Sequence, residues 1–247
     1  MTSPISTPAK TGIASTPRDR IAVALDVAGE REALDLVDRL EGACNWLKVG
    51  MELYYATGNR LVEELKKRGH RVFLDLKLHD IPNTVAGAVR SVSQTGAELL
   101  TVHASGGPAM LEAAAKAAHV PGAPKLLAVT VLTSMDAHEL NAAGVPGLPA
   151  VQVVRLATLA KDSGIHGMVC SPEEVAEVRT ATGSDSILVI PGIRPVGYPA
   201  DDQRRMATAS EAITRGASIL VVGRPITRAA DPGAAARAIV DEIASVA

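Results

Sequence analysis

From Arg20 onward, short runs of Val, Ile and Leu alternate with stretches whose apolar residues recur three and four positions apart. The runs predict strands at Ile21–Asp26, Trp46–Val49, Val72–Lys77, Leu99–His103, Leu126–Leu132, Gly167–Cys170, Ile187–Ile190 and Ile219–Gly223. The stretches between them predict helices over Glu30–Leu40, Asn59–Arg68, Asn83–Thr95, Pro108–His119, Val151–Ser163, Pro172–Thr180 and Arg204–Arg215, with Pro232–Val246 closing the chain. Pro108, Pro172 and Pro232 suit the first turn of a helix, where a missing N–H costs nothing. Eight strand–helix units without a break in composition predict an α/β fold, a single (β/α)8 TIM barrel over residues 20–247. An open doubly wound sheet is the rival, but the first strand runs into Asp26-Val27-Ala28 and not into the Gly-rich turn of a dinucleotide site.

Ahead of the barrel, residues 1–19 read as a disordered tail. Met1–Thr16 is rich in Ser, Thr, Pro and Ala and lacks the apolar centre of a secretory signal. The longest non-periodic connection, Ser134–Pro149, is either a lid or a plain loop.

Composition narrows the function classes. Hydrophobic residues make up 47% and charged residues 21% of the 247, with a net charge of -2. That balance is globular and supplies no basic field for nucleic acid. Aromatics at 2% leave few platforms for stacking single-stranded bases. No apolar run reaches the roughly 18 residues of a membrane span. Cys44 and Cys170 sit in apolar runs without a CxxC or a His/Cys ligand spacing. A reduced, cytoplasmic protein is therefore expected, without a disulfide framework or a zinc site.

A barrel carries its chemistry at the C-terminal ends of its strands. Here those ends bear Asp26, Lys48, Asp75, Lys77, His103, Thr133, Ser134, Arg194 and Arg224, with Asp80 just beyond the third strand. Strand alternation puts Asp75 and Lys77 on one face and Leu74 and Leu76 on the other, so the charged pair is expected to face the lumen. Buried charges of this kind should pair. One Asp–Lys pair reads equally well as a structural ion pair. Lys48, Asp75, Lys77 and Asp80 together point to a polar small-molecule site, because such an array costs stability without a packing gain. His79 and His103 lack the partners expected of metal ligands; a structural hydrogen bond is expected for His103, and a dimer-edge role is one alternative for His79. Trp46 and the Tyr54–Tyr55 pair read as packing residues, Arg204-Arg205 as a solvated helix start, and Lys66-Lys67-Arg68 as a solvated face.

The run Phe73-Leu-Asp-Leu-Lys-Leu-His-Asp-Ile-Pro-Asn-Thr84 resembles the signature of the orotidine 5'-monophosphate decarboxylase family, whose D-x-K-x-x-D is met by Asp75, Lys77 and Asp80. Supporting segments occur in order: Ala24-Leu-Asp26, Leu47-Lys-Val-Gly50, Thr101-Val-His-Ala104, Val131-Leu-Thr-Ser-Met135, Pro191-Gly-Ile-Arg-Pro195, Asp202-Gln203-Arg204 and Val222-Gly-Arg-Pro225. The resemblance implies a homodimeric barrel that converts orotidine 5'-monophosphate to UMP and carbon dioxide, the last step of de novo pyrimidine synthesis, with no metal and no organic cofactor. It implies Lys77 as proton donor to C6, with Lys48, Asp75 and Asp80 completing a charged tetrad. Asp26 and Lys48 would bind ribose, and Thr133 or Ser134 would touch the pyrimidine. Arg194 and Gln203 would lie in a loop over the phosphate held by Gly223 and Arg224. Asp80 and Thr84 would serve the partner subunit's site. Two rivals remain: a barrel enzyme acting on a 3-keto sugar phosphate through bound magnesium, and a catalytically dead phosphate-ligand sensor.

Overall fold

The computed structural model describes residues 13–198 and 205–246. Eight parallel strands, β1 (Ile21–Ala24), β2 (Trp46–Gly50), β3 (Arg71–Leu78), β4 (Leu99–His103), β5 (Lys125–Val129), β6 (Gly167–Val169), β7 (Ile187–Ile190) and β8 (Ile219–Val222), pair in sequence order and close β8 onto β1. The predicted barrel stands. Parallel strands covered on both faces need no polar side, which is why β1 reads Ile-Ala-Val-Ala and β7 reads Ile-Leu-Val-Ile, all buried.

The two faces of the strands build two cores. Outward residues such as Val23, Leu47, Leu74, Leu100 and Leu188 join the helices in one large cluster. Inward residues of the lower barrel, among them Ala22, Trp46, Phe73, Leu99, Leu127 and Ile187, form a second. Ile13 is only 4% exposed and belongs to that inner cluster. The expected tail boundary at residue 19 therefore moves. Residues 13–20 form part of the described fold, with a 3-10 turn at Pro17–Arg20 and the Arg71 guanidinium donating to the Ile13 carbonyl at 2.9 Å. Arg71 also lies 3.9 Å over the Trp46 ring, so Trp46 is core, as expected. Tyr55, by contrast, is 77% exposed.

Several boundaries differ from the sequence pattern. β1 and β5 stop at Ala24 and Val129, where the rim begins, not at Asp26 and Leu132. Pro172 does not open a helix; that helix runs Val175–Thr182. The helix expected from Arg204 spans Ala209–Thr214, because Thr208 and Glu211 cap each other's backbone in a capping box. Within Ser134–Pro149 lies a short helix, Ala137–Ala142, closed by the reciprocal cap of Asp136 and Glu139. Lys66 pairs with Glu98, and Arg68 with Asp38 and Glu64, so the Lys66–Arg68 face carries ion pairs. Among the described residues no helix is long and apolar enough to cross a membrane.

Candidate active site

At the C-terminal rim one cleft of about 230 Å³ opens, room for a single small molecule. Its polar wall comes from the ends of β1 to β3. Asp26, Lys48, Asp75 and Lys77 all line it. Its apolar wall comes from β5 to β8, through Val129, Val169, Val189 and Val221. Thr133, Arg194, Gly223 and Arg224 complete the lining.

The charges are in contact. Lys77 Nζ is 2.8 Å from Asp75 Oδ2, and Lys48 Nζ is 3.7 Å from the same oxygen. Lys48 also donates to Asp26 Oδ1 at 2.9 Å. Burial alone would push the Asp75 carboxyl up. The ammonium groups of Lys48 and Lys77, with hydrogen bonds from Lys77 and Thr101, outweigh it and hold the carboxyl below its ordinary value. Asp75 is therefore an anion between two cations at neutral pH.

Lys77 reaches Asp75 by a route that simple alternation does not describe. β3 shifts register against β4 between Leu74 and Leu78, and Lys77 takes a left-handed φ of 51°. A β-bulge re-aims the side chain at the site. Such conformations in residues with a Cβ are uncommon and cluster where function holds them.

Asp80 and Thr84 stay out of their own chain's pocket. Both are exposed, at the start of the helix Pro82–Val92, and the Asp80 carboxylate accepts from the Ile81 N–H at 2.6 Å. Within one chain the expected tetrad is thus a triad. Of the two hydroxyls proposed for the pyrimidine, Thr133 lines the pocket, whereas Ser134 is exposed and does not. Arg194 is buried beside Ile193, and Arg224 starts the turn Arg224–Thr227. Gln203 lies outside the described residues. His103 stacks against His79 with ring centres 5.3 Å apart, and no hydrogen bond of its ring is found among the described residues, contrary to expectation. Burial first, and then the electrostatic influence of the neighbouring His79 and Lys77, hold the His103 imidazole below its ordinary value. Among the described residues no group of three or more His, Cys, Asp or Glu is placed to hold a metal.

Three features escaped the sequence reading. Gly50 leaves room for the Lys48 amine, since a Cβ there would stand 3.2 Å from Nζ. Arg205, expected in solvent, is 8% exposed. It pairs with buried Glu174 and donates to the Leu132 carbonyl at 3.0 Å, while Glu174 accepts from the Ser171 N–H at 3.1 Å. A guanidinium between two loop ends can satisfy a carboxylate and a carbonyl at once, and that draws it inward. Thr101 is the third. It bonds both Asp75 and the backbone of Lys77.

Barrel enzymes carry their chemistry at this rim, and an enzyme of that class, with a cleft sized for a small molecule, is what the fold and the cleft define. Its family follows from likeness to known proteins. Residues 19–239 match the model of the orotidine 5'-phosphate decarboxylase / HUMPS family, and the chain belongs to that family. It is 52% identical over 223 residues to the orotidine 5'-phosphate decarboxylase of Anaeromyxobacter sp. (strain K), covering 90% of this chain and 97% of that one. To the protein of the same name from Methylobacterium sp. (strain 4-46) it is 53% identical over 231 residues, 93% of this chain and 97% of the other. The crystal structure of orotidine 5'-phosphate decarboxylase from Lactobacillus acidophilus superposes with a TM-score of 0.81 at 40% identity, covering 90% of this chain and 98% of that one.

Proposed function

We propose that this chain converts orotidine 5'-monophosphate to UMP and carbon dioxide, the last step of de novo pyrimidine synthesis, with Lys77 delivering the proton that replaces the carboxylate at C6. One observation carries the reading: in a chain of this family, the Lys77 amine and Asp75 meet at 2.8 Å in the cleft, with the Lys48 amine alongside.

The chemistry needs such a cluster. The bond from C6 to the carboxylate breaks with its electron pair left on carbon, and the pyrimidine ring delocalises that pair poorly. A fixed ammonium nearby stabilises the developing charge without reorganising, and more strongly away from bulk water. Nζ of Lys77 then gives its proton to C6, and the amine recovers one from water after release. Asp75 is the shared counter-ion that orients both lysines. Asp26 and Lys48 offer an acceptor and a donor to the ribose hydroxyls. The valine wall and Thr133 suit a flat ring with polar edges. Arg194, Gly223 and Arg224, with Gln203 by resemblance, hold the phosphate, in the region after strands seven and eight where barrels commonly bind one. Binding energy from that remote phosphate is available to organise the reacting end.

The reading calls for no metal or organic cofactor. It also places the functional unit in a homodimer, with Asp80 and Thr84 serving the partner's site. Support comes from their exposure beside Ile81, which is 68% exposed. The buried free thiols Cys44 and Cys170 fit the reduced cytoplasmic setting read from the sequence.

Purified protein should deplete orotidine 5'-monophosphate, followed by ultraviolet absorbance, at the same rate with and without EDTA. No turnover overturns the reading, and turnover that is lost in EDTA overturns its cofactor-free chemistry. For the shared site, mixing Lys77→Ala with Asp80→Ala chains should restore activity through one competent site per heterodimer. No recovery in verified heterodimers removes Asp80 from the partner's site.

A further inference from the structure

Between Leu74 and Leu78, β3 takes four steps while β4 takes two, from Leu100 to Val102. Asp75, Leu76 and Lys77 therefore stand opposite a single residue, Thr101. Surplus residues in a bulge lose their regular ladder partners, and a buried N–H without an acceptor is costly. The Lys77 N–H escapes that cost by donating to the Thr101 hydroxyl oxygen at 2.8 Å.

The consequence runs into the cleft. A threonine hydroxyl has one proton to give. With the Lys77 N–H as donor on one side, the Thr101 proton goes to Asp75 Oδ1, at 3.0 Å. That occupies one carboxylate oxygen and turns the other, Oδ2, toward Lys77 Nζ at 2.8 Å and Lys48 Nζ at 3.7 Å. Thr101 itself is 0% exposed and lies in the barrel wall, so it is placed to act on these groups and not on a ligand.

We propose that Thr101 is a positioning residue for the decarboxylation: its hydroxyl clamps the backbone of Lys77 to the carboxylate of Asp75 and so fixes both the left-handed bulge and the place of the proton donor. Val fills nearly the same space without the hydroxyl, so it separates this role from packing. The inference rests on the proposed function. Turnover by the unaltered chain tests that function by itself, and the variants test the clamp.

The full chain, Thr101→Val, Thr101→Ala and Thr101→Ser should be compared for kcat and KM with orotidine 5'-monophosphate, with folding checked by circular dichroism and UMP binding by calorimetry. Loss of a hydrogen bond to a charged group that also positions the donor should lower kcat by about 10- to 100-fold in the Val and Ala variants. KM and UMP affinity should move by less than about threefold, because Thr101 does not line the cleft, and Ser should restore kcat to within about threefold of the parent. A folded Val or Ala variant with unchanged kcat overturns the clamp. So does a Ser variant as impaired as Val, or a loss confined to KM. If Val does not fold, Ala and Ser decide the outcome by the same criteria. An unaltered chain without turnover sinks the proposed function and the clamp with it.

Discussion

Two layers of the same barrel, one step of the pleat apart, differ in almost everything but position. Trp46, Phe73, Leu99 and Leu127 fill the lower lumen. Two residues further along the same strands, on the same face, stand Lys48, Asp75, Thr101 and Val129. The lower layer is apolar all round. The upper one is split, charged where β1 to β3 end and valine-lined where β5 to β8 end. The comparison teaches a division of labour. The lower plug holds the strands at fixed spacing, and the upper layer can then carry charges that gain nothing for packing but are held still relative to one another. The valine half matters to the charged half, since a wall without competing dipoles or water strengthens every interaction across the cleft.

Substitutions that attack one layer should leave the other readable. The largest effect is expected from Lys77→Ala, which should lower kcat by about 10⁴-fold or more, because it removes both a preorganised charge and the proton donor. Circular dichroism and the urea midpoint should stay close to the parent's. Substantial retained turnover would take Lys77 out of the reaction. Next comes the lower layer. Leu99→Ala, at a 0% exposed position of the inner cluster, should cost about 2–5 kcal/mol of stability by opening a cavity in a packed interior, measured by urea unfolding, while the folded fraction keeps turning over. A stable variant that is inactive would mean the plug shapes the site directly and would blur the separation of layers.

The smallest effect concerns acid. Asp75 has a folded pKa below its ordinary value of 3.8, so its ionic contribution to stability is fully present above that value and is lost as pH falls through the lower, folded one. The stability gap between the parent and Asp75→Asn should therefore hold steady from neutral pH down to the ordinary carboxylate range and narrow below it. Urea titrations at successive pH values read this gap. A gap that widens on acidification would contradict the ion cluster.

Much of this was legible in the chain. The eight apolar runs fixed the barrel because a parallel strand covered on both faces has to be apolar throughout. The rim charges stood out because Asp75, Lys77 and Lys48 interrupt runs that packing alone would keep apolar. Less legible was anything that depends on partners far apart in sequence. Arg205 looked like a solvated helix start, since nothing near it hints at Glu174 or at the Leu132 carbonyl. Residues 13–19 looked like tail, since Ile13 has its partners only once the barrel bottom exists.

By itself, the sequence determined the order and period of the strands, and hence a closed barrel with its ionisable groups gathered at one end. Both follow from local rules, the alternation along a strand and the cost of burying charge. Tertiary structure alone decided how those groups meet. The bulge in β3, the left-handed turn at Lys77 and the Thr101 hydroxyl between Lys77 and Asp75 arise where two neighbouring strands disagree in length. No pattern along one strand records that mismatch, because it is a property of the pair.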